Sequence, residues 1–372
     1  MIPLQYTYER KRLFPGFDKQ TCKICPQIIY DGKDTAFLIY GMLLLSGSDV
    51  DVGAYIVKST DGGKTFGTPQ PFHRIETIEN GIRTIKGGGD GLYNHFHNRW
   101  MMVGGSMCYE HNRHPMLVKG GGISVCYPYL SFLNPNTMTL EPEVTPIPFP
   151  YASESICPFG QLYELENGDV MVTFYFVPEG DTKSQVISVR YALEGNELHI
   201  VKAGDPIAVG AEYARGVYEP SLAKLEDTYY MALRTNEVGM FAVSHDGYHF
   251  DKPRPWVWDD GTVLENYNTQ QRWVRHSDGL FLVYTRKTPN NNHVFRNRAP
   301  LFMTRFDEDR QCLIRSEEII VVPELGARLG NFTVTDASSK EAWIVVAEWM
   351  QNIGCEKYGS DNSIWCTKIL FQ

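Results

Sequence analysis

A tight-turn signature at 59–66 most constrains the fold of this chain. It reads Ser-Thr-Asp-Gly-Gly-Lys-Thr-Phe. Asp61 can hydrogen-bond the backbone two residues on, and the two glycines after it can adopt positive φ without steric cost. Val57 before the turn and Phe66 after it can pack two strands together. The stretch therefore predicts a β-hairpin, and a shortened version of it recurs at 244–250.

Short apolar or alternating runs recur along the chain, separated by Gly, Asn, Asp and Pro, with almost no helical periodicity. This pattern is typical of an all-β protein. Units of about 50 to 70 residues, each long enough for four strands and their loops, can arrange radially as a propeller. Their starts lie near Ile24, Tyr93, Gly160, Glu219, Arg272 and Phe332.

We therefore predict one domain over 1–372, a six-bladed β-propeller of four-stranded antiparallel blades. A β-sandwich or a two-domain β protein is the alternative. Leu4–Leu13 and Ser363–Phe371 are both strand-like, and we expect them to share a sheet that closes the ring.

Composition narrows the possible partners. The formal net charge of −9 argues against a nucleic-acid surface. No apolar run approaches the ~20 residues of a membrane span. The first 14 residues contain no signal-peptide apolar region, so we expect a cytoplasmic protein or a mature form whose signal was removed.

The eight cysteines include one CxxC pair, Cys22 and Cys25, with no second pair to complete a metal site. Buried free thiols are the expectation, with no metal and no cofactor.

The full pattern at 59–66 resembles the Asp box of sialidases and related β-propellers. Sialidases place an Arg-Ile-Pro motif in the first blade, where this chain reads Lys-Ile-Cys-Pro from Lys23. The resemblance implies that Lys23 binds substrate and that a general acid lies between this motif and the Asp box. Asp49 and Asp51 are the candidates, and we expect only one of them to line the pocket.

The closest correspondence with sialidases lies in the fourth unit. Glu219, then Arg234 followed by Thr, then the second Asp box keep the family's order. The resemblance implies that Glu219 supports catalysis and that Arg234 binds a substrate carboxylate, for which a guanidinium fork is suited. A further arginine of this kind is expected at Arg298, with Arg296 as the alternate.

The sialidase nucleophile is a Tyr in the last blade, and the matching stretch here, 328–335, contains none. Asn331 or Phe332 takes that place, and Asn331 could bind a sugar hydroxyl. The retaining mechanism of that family is therefore not expected.

Other polar and aromatic side chains are candidates for the same pocket. His95 and His97 would point the same way on one strand, and histidine is suited to acid–base work near neutral pH. Further substrate-binding candidates are Asp90, Tyr218, Arg272, Trp273 and Tyr284.

Together these features predict an exo-acting glycoside hydrolase that removes a terminal anionic sugar, sialic- or uronic-acid-like, from a glycan. A polysaccharide lyase and a non-catalytic glycan-binding propeller are the alternatives. Convergence of Glu219, Arg234, Arg298 and His97 on one pocket would favour an enzyme.

Overall fold

Strands dominate the computed structural model, which describes residues 5–85, 89–117, 125–351 and 353–372. Within these ranges the helical elements are three short 3₁₀ segments, Phe295–Asn297, Arg315–Glu317 and Cys355–Tyr358. None of the helices in the described ranges is long and apolar enough to span a bilayer.

The strands form six antiparallel sheets. Strand β1 (Tyr6–Leu13) belongs to the last of them. Sheet 1 contains β2 (Thr21–Tyr30), β3 (Ala36–Leu44), β4 (Val50–Ser59) and β5 (Gln70–Pro71). Sheet 2 contains β6 (Arg74–Ile78), β7 (Gly81–Ile85), β8 (Gly89–Asn94), β9 (Arg99–Tyr109), β10 (Val125–Asn134), β11 (Thr139–Leu140) and β12 (Thr145–Pro146).

Three further sheets follow along the chain. Sheet 3 contains β13 (Ser153–Cys157), β14 (Tyr163–Glu164), β15 (Val170–Pro178), β16 (Gln185–Glu194) and β17 (Glu197–Ala203). Sheet 4 contains β18 (Tyr218–Leu225), β19 (Thr228–Arg234), β20 (Gly239–Ser244) and β21 (Arg254–Pro255). Sheet 5 contains β22 (Arg272–His276), β23 (Gly279–Tyr284), β24 (Leu301–Asp307), β25 (Cys312–Leu313) and β26 (Ile319–Val322).

Sheet 6 joins the two ends of the chain. It contains β27 (Phe332–Ser338), β28 (Glu341–Ala347) and β29 (Ile364–Phe371), with β1 as its fourth strand. β1 pairs with β29 antiparallel from Tyr6 opposite Phe371 to Leu13 opposite Ile364. The predicted meeting of the two terminal strands in one sheet is confirmed.

Neighbouring sheets contact one another in chain order and close a ring. β2 contacts β8, β10 contacts β13, β15 contacts β18, β18 contacts β22 and β22 contacts β27. β27 and β28 in turn contact β2. An all-β propeller with antiparallel blades, as the sequence predicts, is confirmed.

Sheet 2 departs from the predicted four strands. The 11 residues of β9 are long enough to pair with two partners on one side. Residues 99–104 pair with β8, and residues 107–109 pair with β7. The hairpin of β6 and β7 is thereby added to the sheet.

The core lies between adjacent sheets. Between sheets 4 and 5 it is aromatic and includes Trp256, Trp273, Tyr284 and Phe306, all of which are buried. The Tyr284 hydroxyl donates to Oε1 of Glu318 at 2.6 Å. The prediction that Trp273 and Tyr284 face a sugar is therefore wrong, because strand alternation directs both side chains between two sheets.

The two stretches that resemble Asp boxes form turns with similar hydrogen bonds. In the first, the Ser59 hydroxyl accepts from Gly63 N at 2.9 Å and donates to the Asp61 carboxylate at 2.8 Å. In the second, the Ser244 hydroxyl accepts from Gly247 N at 2.9 Å and donates to Asp246 at 3.0 Å. Each of these stretches directly follows the third strand of its sheet.

Replacing Ser59 by Ala should destabilise the protein by about 1–3 kcal/mol, because the buried Gly63 N–H loses its acceptor. Urea unfolding measures the change. The neighbouring Thr60→Ala variant is the control, since Thr60 is exposed and should have little effect. Equal midpoints for the two variants would contradict the assigned role of Ser59.

The cysteines differ in part from the predicted buried thiols. Cys108 is disulfide-bonded. Five others, Cys22, Cys157, Cys312, Cys355 and Cys366, are buried thiols. Cys25 also carries a thiol, but it is exposed and lies where the register of β2 shifts between Ile24 and Gln27.

Candidate functional site

The inner strands of sheets 1 and 4 are interrupted by the same kind of bulge. In β18 the register shifts between Tyr218 and Ser221, and Glu219 has a φ of 47°. In β2 the register shifts between Ile24 and Gln27, and Cys25 has a φ of 45°. A positive φ at a residue other than Gly costs about 1–3 kcal/mol and is concentrated at functional sites. A proline follows each residue and disfavours the right-handed helical region there.

Glu219 and Arg234 form an ion pair at one end of sheet 4. Glu219 lies near the start of β18 and Arg234 at the end of β19, so antiparallel pairing brings them together. Arg234 Nη1 lies 2.5 Å from Glu219 Oε2. Burial favours the neutral form of Glu219, but the positive charges of Arg234, Arg215 and Arg298 together outweigh it and lower the pKa of this carboxyl below its usual value. Glu219 is therefore a carboxylate at neutral pH.

Asn268 joins two guanidinium groups. Its side-chain oxygen accepts from Arg234 Nη2 at 2.5 Å, and its backbone oxygen accepts from Arg298 Nη2 at 2.6 Å. The Tyr218 hydroxyl lies 3.0 Å from the same side-chain oxygen and 2.6 Å from Asn236 Oδ1, and the ring of Tyr218 lies 4.7 Å from the Arg234 guanidinium carbon. Asn268 itself has a φ of 44°. We call Arg234, Arg298 and Asn268 the guanidinium clamp.

Arg298 is 4% exposed and, among the described residues, has no carboxylate within ion-pair distance. Burial, with the positive charge of Arg234 beside it, lowers the pKa of Arg298. Its side chain lies against Gly330, where an added Cβ would come within 2.5 Å of Arg298 Cδ. A buried cation without a counter-ion is costly, so this arrangement favours the binding of an anion.

The sequence predicts Glu219, Arg234, Arg298 and Tyr218 at one site, and the structure places them together. His97 and His95 do not join them. They lie in the turn between β8 and β9, at the far end of an inner strand, whereas Glu219 is near the start of β18. His95 Nδ1 is 2.9 Å from Glu164 Oε2, at the surface. The two histidines are not on one strand as predicted, because β8 ends at Asn94.

Asp90 and Arg272, both predicted to bind substrate, instead bind each other. Arg272 Nη1 lies 3.0 and 2.9 Å from the two carboxylate oxygens of Asp90, and both side chains are buried. Asp90 lies in sheet 2 and Arg272 in sheet 5. These sheets are opposite in the ring, so the pair spans its centre. Neither side chain is left for a sugar.

The two candidate acids differ in their surroundings. Asp51 is buried, 3.6 Å from Arg113 Nη1. Asp49 is half-buried and has a φ of 58°, and its charge reaches Arg328. Of the two candidate acids, Asp49 is therefore the one that is both partly accessible and close enough to Arg328 to act on its charge.

The candidates from the first and last sheets have local partners. Lys23 is buried, and its Nζ donates to the backbone oxygen of Asn362 at 2.9 Å. In the structure the Lys23 ammonium group is therefore bonded to the backbone, and its predicted role as a carboxylate ligand stays a prediction. Asn331 Nδ2 lies 3.3 Å from Cys25 Sγ. Asn331 thus lies beside the bulge in β2.

Asn268 belongs to the amide-rich stretch 266–273, which the sequence offers as a source of bonds to sugar hydroxyls, whereas Arg215 and Arg328, beside the site, were not predicted. Asn268 joins the two arginines, and Arg215 lies 4.1 Å from the centroid of the Tyr218 ring. Arg328, like Arg296, stacks on Phe295. Arg215 and Arg328 belong to no local motif, so only the folded chain shows their positions.

No protein-family profile and no curated protein matches the sequence. Solved structures do match. A protein of unknown function from Dyadobacter fermentans has a TM-score of 0.69 at 14% identity, with 100% of both chains covered. The Trypanosoma rangeli sialidase, which also matches in its complex with sialic acid, has a TM-score of 0.58 at 13% identity. That alignment covers 99% of this chain and 60% of the sialidase.

The endosialidase of phage phi92 has a TM-score of 0.53 at 11% identity, with 98% of this chain and 69% of that chain covered. At these identities the similarity establishes a sialidase-like propeller fold. The chain spans about three fifths of the Trypanosoma rangeli enzyme.

Proposed function

We propose that this protein is a glycoside hydrolase that removes a terminal anionic sugar from a glycan, with the six sheets acting as the six blades around its site. The observation that carries the proposal is the buried guanidinium clamp beside the Glu219 carboxylate. Guanidinium groups bind carboxylates through paired, charge-assisted hydrogen bonds. The fold shared with sialidases, one of them matched in complex with sialic acid, supports the same conclusion.

The clamp would hold the sugar carboxylate, and Glu219 would act as a base. A water molecule loses a proton to Glu219 while its oxygen attacks the anomeric carbon. The bond from that carbon to the leaving oxygen breaks, and the leaving oxygen takes a proton from Asp49. Residues 328–335 offer Asn331 and Phe332 but no Tyr to form a covalent intermediate. Direct attack by water inverts the anomeric configuration.

A substrate screen tests the proposal. The purified protein would be incubated with fluorogenic sialosides, uronides and neutral glycosides, and with uronic-acid polysaccharides monitored for unsaturated products. Release of an acidic sugar, first detected by NMR as the inverted anomer, is the expected result. Unsaturated products would indicate a lyase. Binding of acidic sugars without turnover would indicate a glycan-binding propeller.

The ion pair of Glu219 makes a prediction about pH. A base must be ionised, and Arg234 lowers the pKa of Glu219, so activity should persist below pH 4.5, the ordinary value for Glu. Arg234→Met removes the largest of the contributions that lower the pKa of Glu219, so burial should raise this pKa in the variant. The acid limb of the kcat profile should therefore move to higher pH. An unchanged limb in a folded Arg234→Met variant would exclude Glu219 as the base.

A further inference from the structure

Two cations share one aromatic ring beside the clamp. The guanidinium carbon of Arg328 lies 4.0 Å from the centroid of the Phe295 ring, and that of Arg296 lies 4.9 Å from it. Phe295 is 41% exposed. In the described parts of the chain, neither arginine forms an ion pair within 4.0 Å. The ring therefore holds two positive charges together with no carboxylate between them.

This arrangement is costly in the unbound protein. Arg296 has a φ of 56°, and the next residue, Asn297, has a φ of 51°. The Nε of Arg328 is buried, and no hydrogen-bond partner is found for it among the described residues. Burial, together with the charge of Arg296, lowers the pKa of Arg328, although Asp49 partly offsets this. An arriving anion would relieve both the charge repulsion and the unmet hydrogen-bonding capacity.

The cation pair adjoins the guanidinium clamp. Arg296 is two residues before Arg298, and the backbone N–H of Leu329, next to Arg328, donates to the Arg298 carbonyl at 2.5 Å. The clamp already offers two guanidinium groups to a single carboxylate. A carboxylate accepts about four hydrogen bonds through its two oxygens, and two guanidinium groups can donate that number. Two more guanidinium groups therefore exceed the hydrogen-bonding capacity of one carboxylate.

We propose that Arg296 and Arg328 form a second anion subsite, and that the preferred ligand is a terminal acidic sugar with a second acidic group close by. That group is a carboxylate or a sulfate ester, on the same sugar or on the next one. The proposal rests on the proposed function for the first carboxylate. It adds a substrate class, dianionic glycan termini, that the clamp alone does not select.

Calorimetric titration compares matched probes at fixed salt. N-acetylneuraminic acid is paired with its α2,8-linked dimer, and glucuronic acid with its 2-sulfate. A Glu219→Gln background slows turnover during the titration. The dianionic member of at least one pair should bind about 10- to 100-fold more tightly, as expected for one added charge-assisted contact. The pair that shows the preference identifies the second group as carboxylate or sulfate.

Arg296→Gln and Arg328→Gln, each added to this background, should remove that preference and leave the affinity for the monoanionic probes within about twofold. Arg10→Gln is the matched control, because Arg10 also stacks on an aromatic ring, 4.7 Å from the Tyr8 centroid, on outer strand β1. Thermal melting verifies that each variant folds. Equal affinities within both pairs, or a preference that survives both substitutions, would overturn the second subsite and leave the proposed function standing. Failure of every probe to bind would overturn both.

Discussion

Replacing Glu219 by Gln should lower kcat by about 10²- to 10⁴-fold, the usual contribution of a positioned general base. The amide cannot take a proton from water, but it matches the carboxylate in size and can still accept a hydrogen bond from Arg234. Binding of the acidic sugar should change much less, because the clamp remains. The measurement is kcat and KM with the best substrate found in the screen.

Glu226→Gln is a close control for this change. Glu226 lies just beyond the other end of β18 and also has a positive φ, 51°. It is exposed, so its substitution should leave kcat unchanged. If both variants kept full activity, Glu219 would not be the base, whereas equal losses would indicate a general effect on sheet 4.

Replacing Asp90 by Ala should destabilise the protein by about 3–5 kcal/mol, because it leaves the buried Arg272 without its counter-ion. The effect should be large because the pair joins opposite sheets across the centre of the ring. Chemical unfolding at pH 7 measures it. Arg272→Ala should destabilise the protein by a similar amount, because it leaves the buried Asp90 carboxylate without its counter-ion.

The double variant Asp90→Leu with Arg272→Met separates structure from binding. Replacing a buried ion pair by apolar side chains of similar volume is often neutral or stabilising. We therefore expect near-normal stability and unchanged affinity for an acidic sugar. A stable double variant that has lost this affinity would show that Asp90 or Arg272 contacts the ligand after all.

The sequence predicted the elements that depend on local pattern. The strand and turn signals, together with the resemblance to sialidases, led to the propeller and to Glu219 and Arg234. Both residues lie in one β-hairpin, where antiparallel register determines which side chains meet. Arg298 was predicted because a strand follows it directly.

The errors have physical causes of two kinds. His95 and His97 were assigned to a strand, but β8 ends one residue before His95, so alternation does not apply to them. Asp90 and Arg272 were each predicted to bind substrate, yet they pair across 182 positions of sequence. A single sequence gives no sign of such a contact, and the same holds for Asn268, which joins residues of sheets 4 and 5.

The pairing of β1 with β29 has a consequence for synthesis on the ribosome. β1 is synthesised before its partner β29, which lies more than 350 positions later, so the backbone groups of β1 that pair with β29 stay unpaired until that strand is made. The ring stays open until then, and the edges of β1 and β28 that pair with β29 lack their partner. Such edges can pair with other chains. The charged run Glu-Arg-Lys-Arg at 9–12 within β1 reduces that risk during the wait.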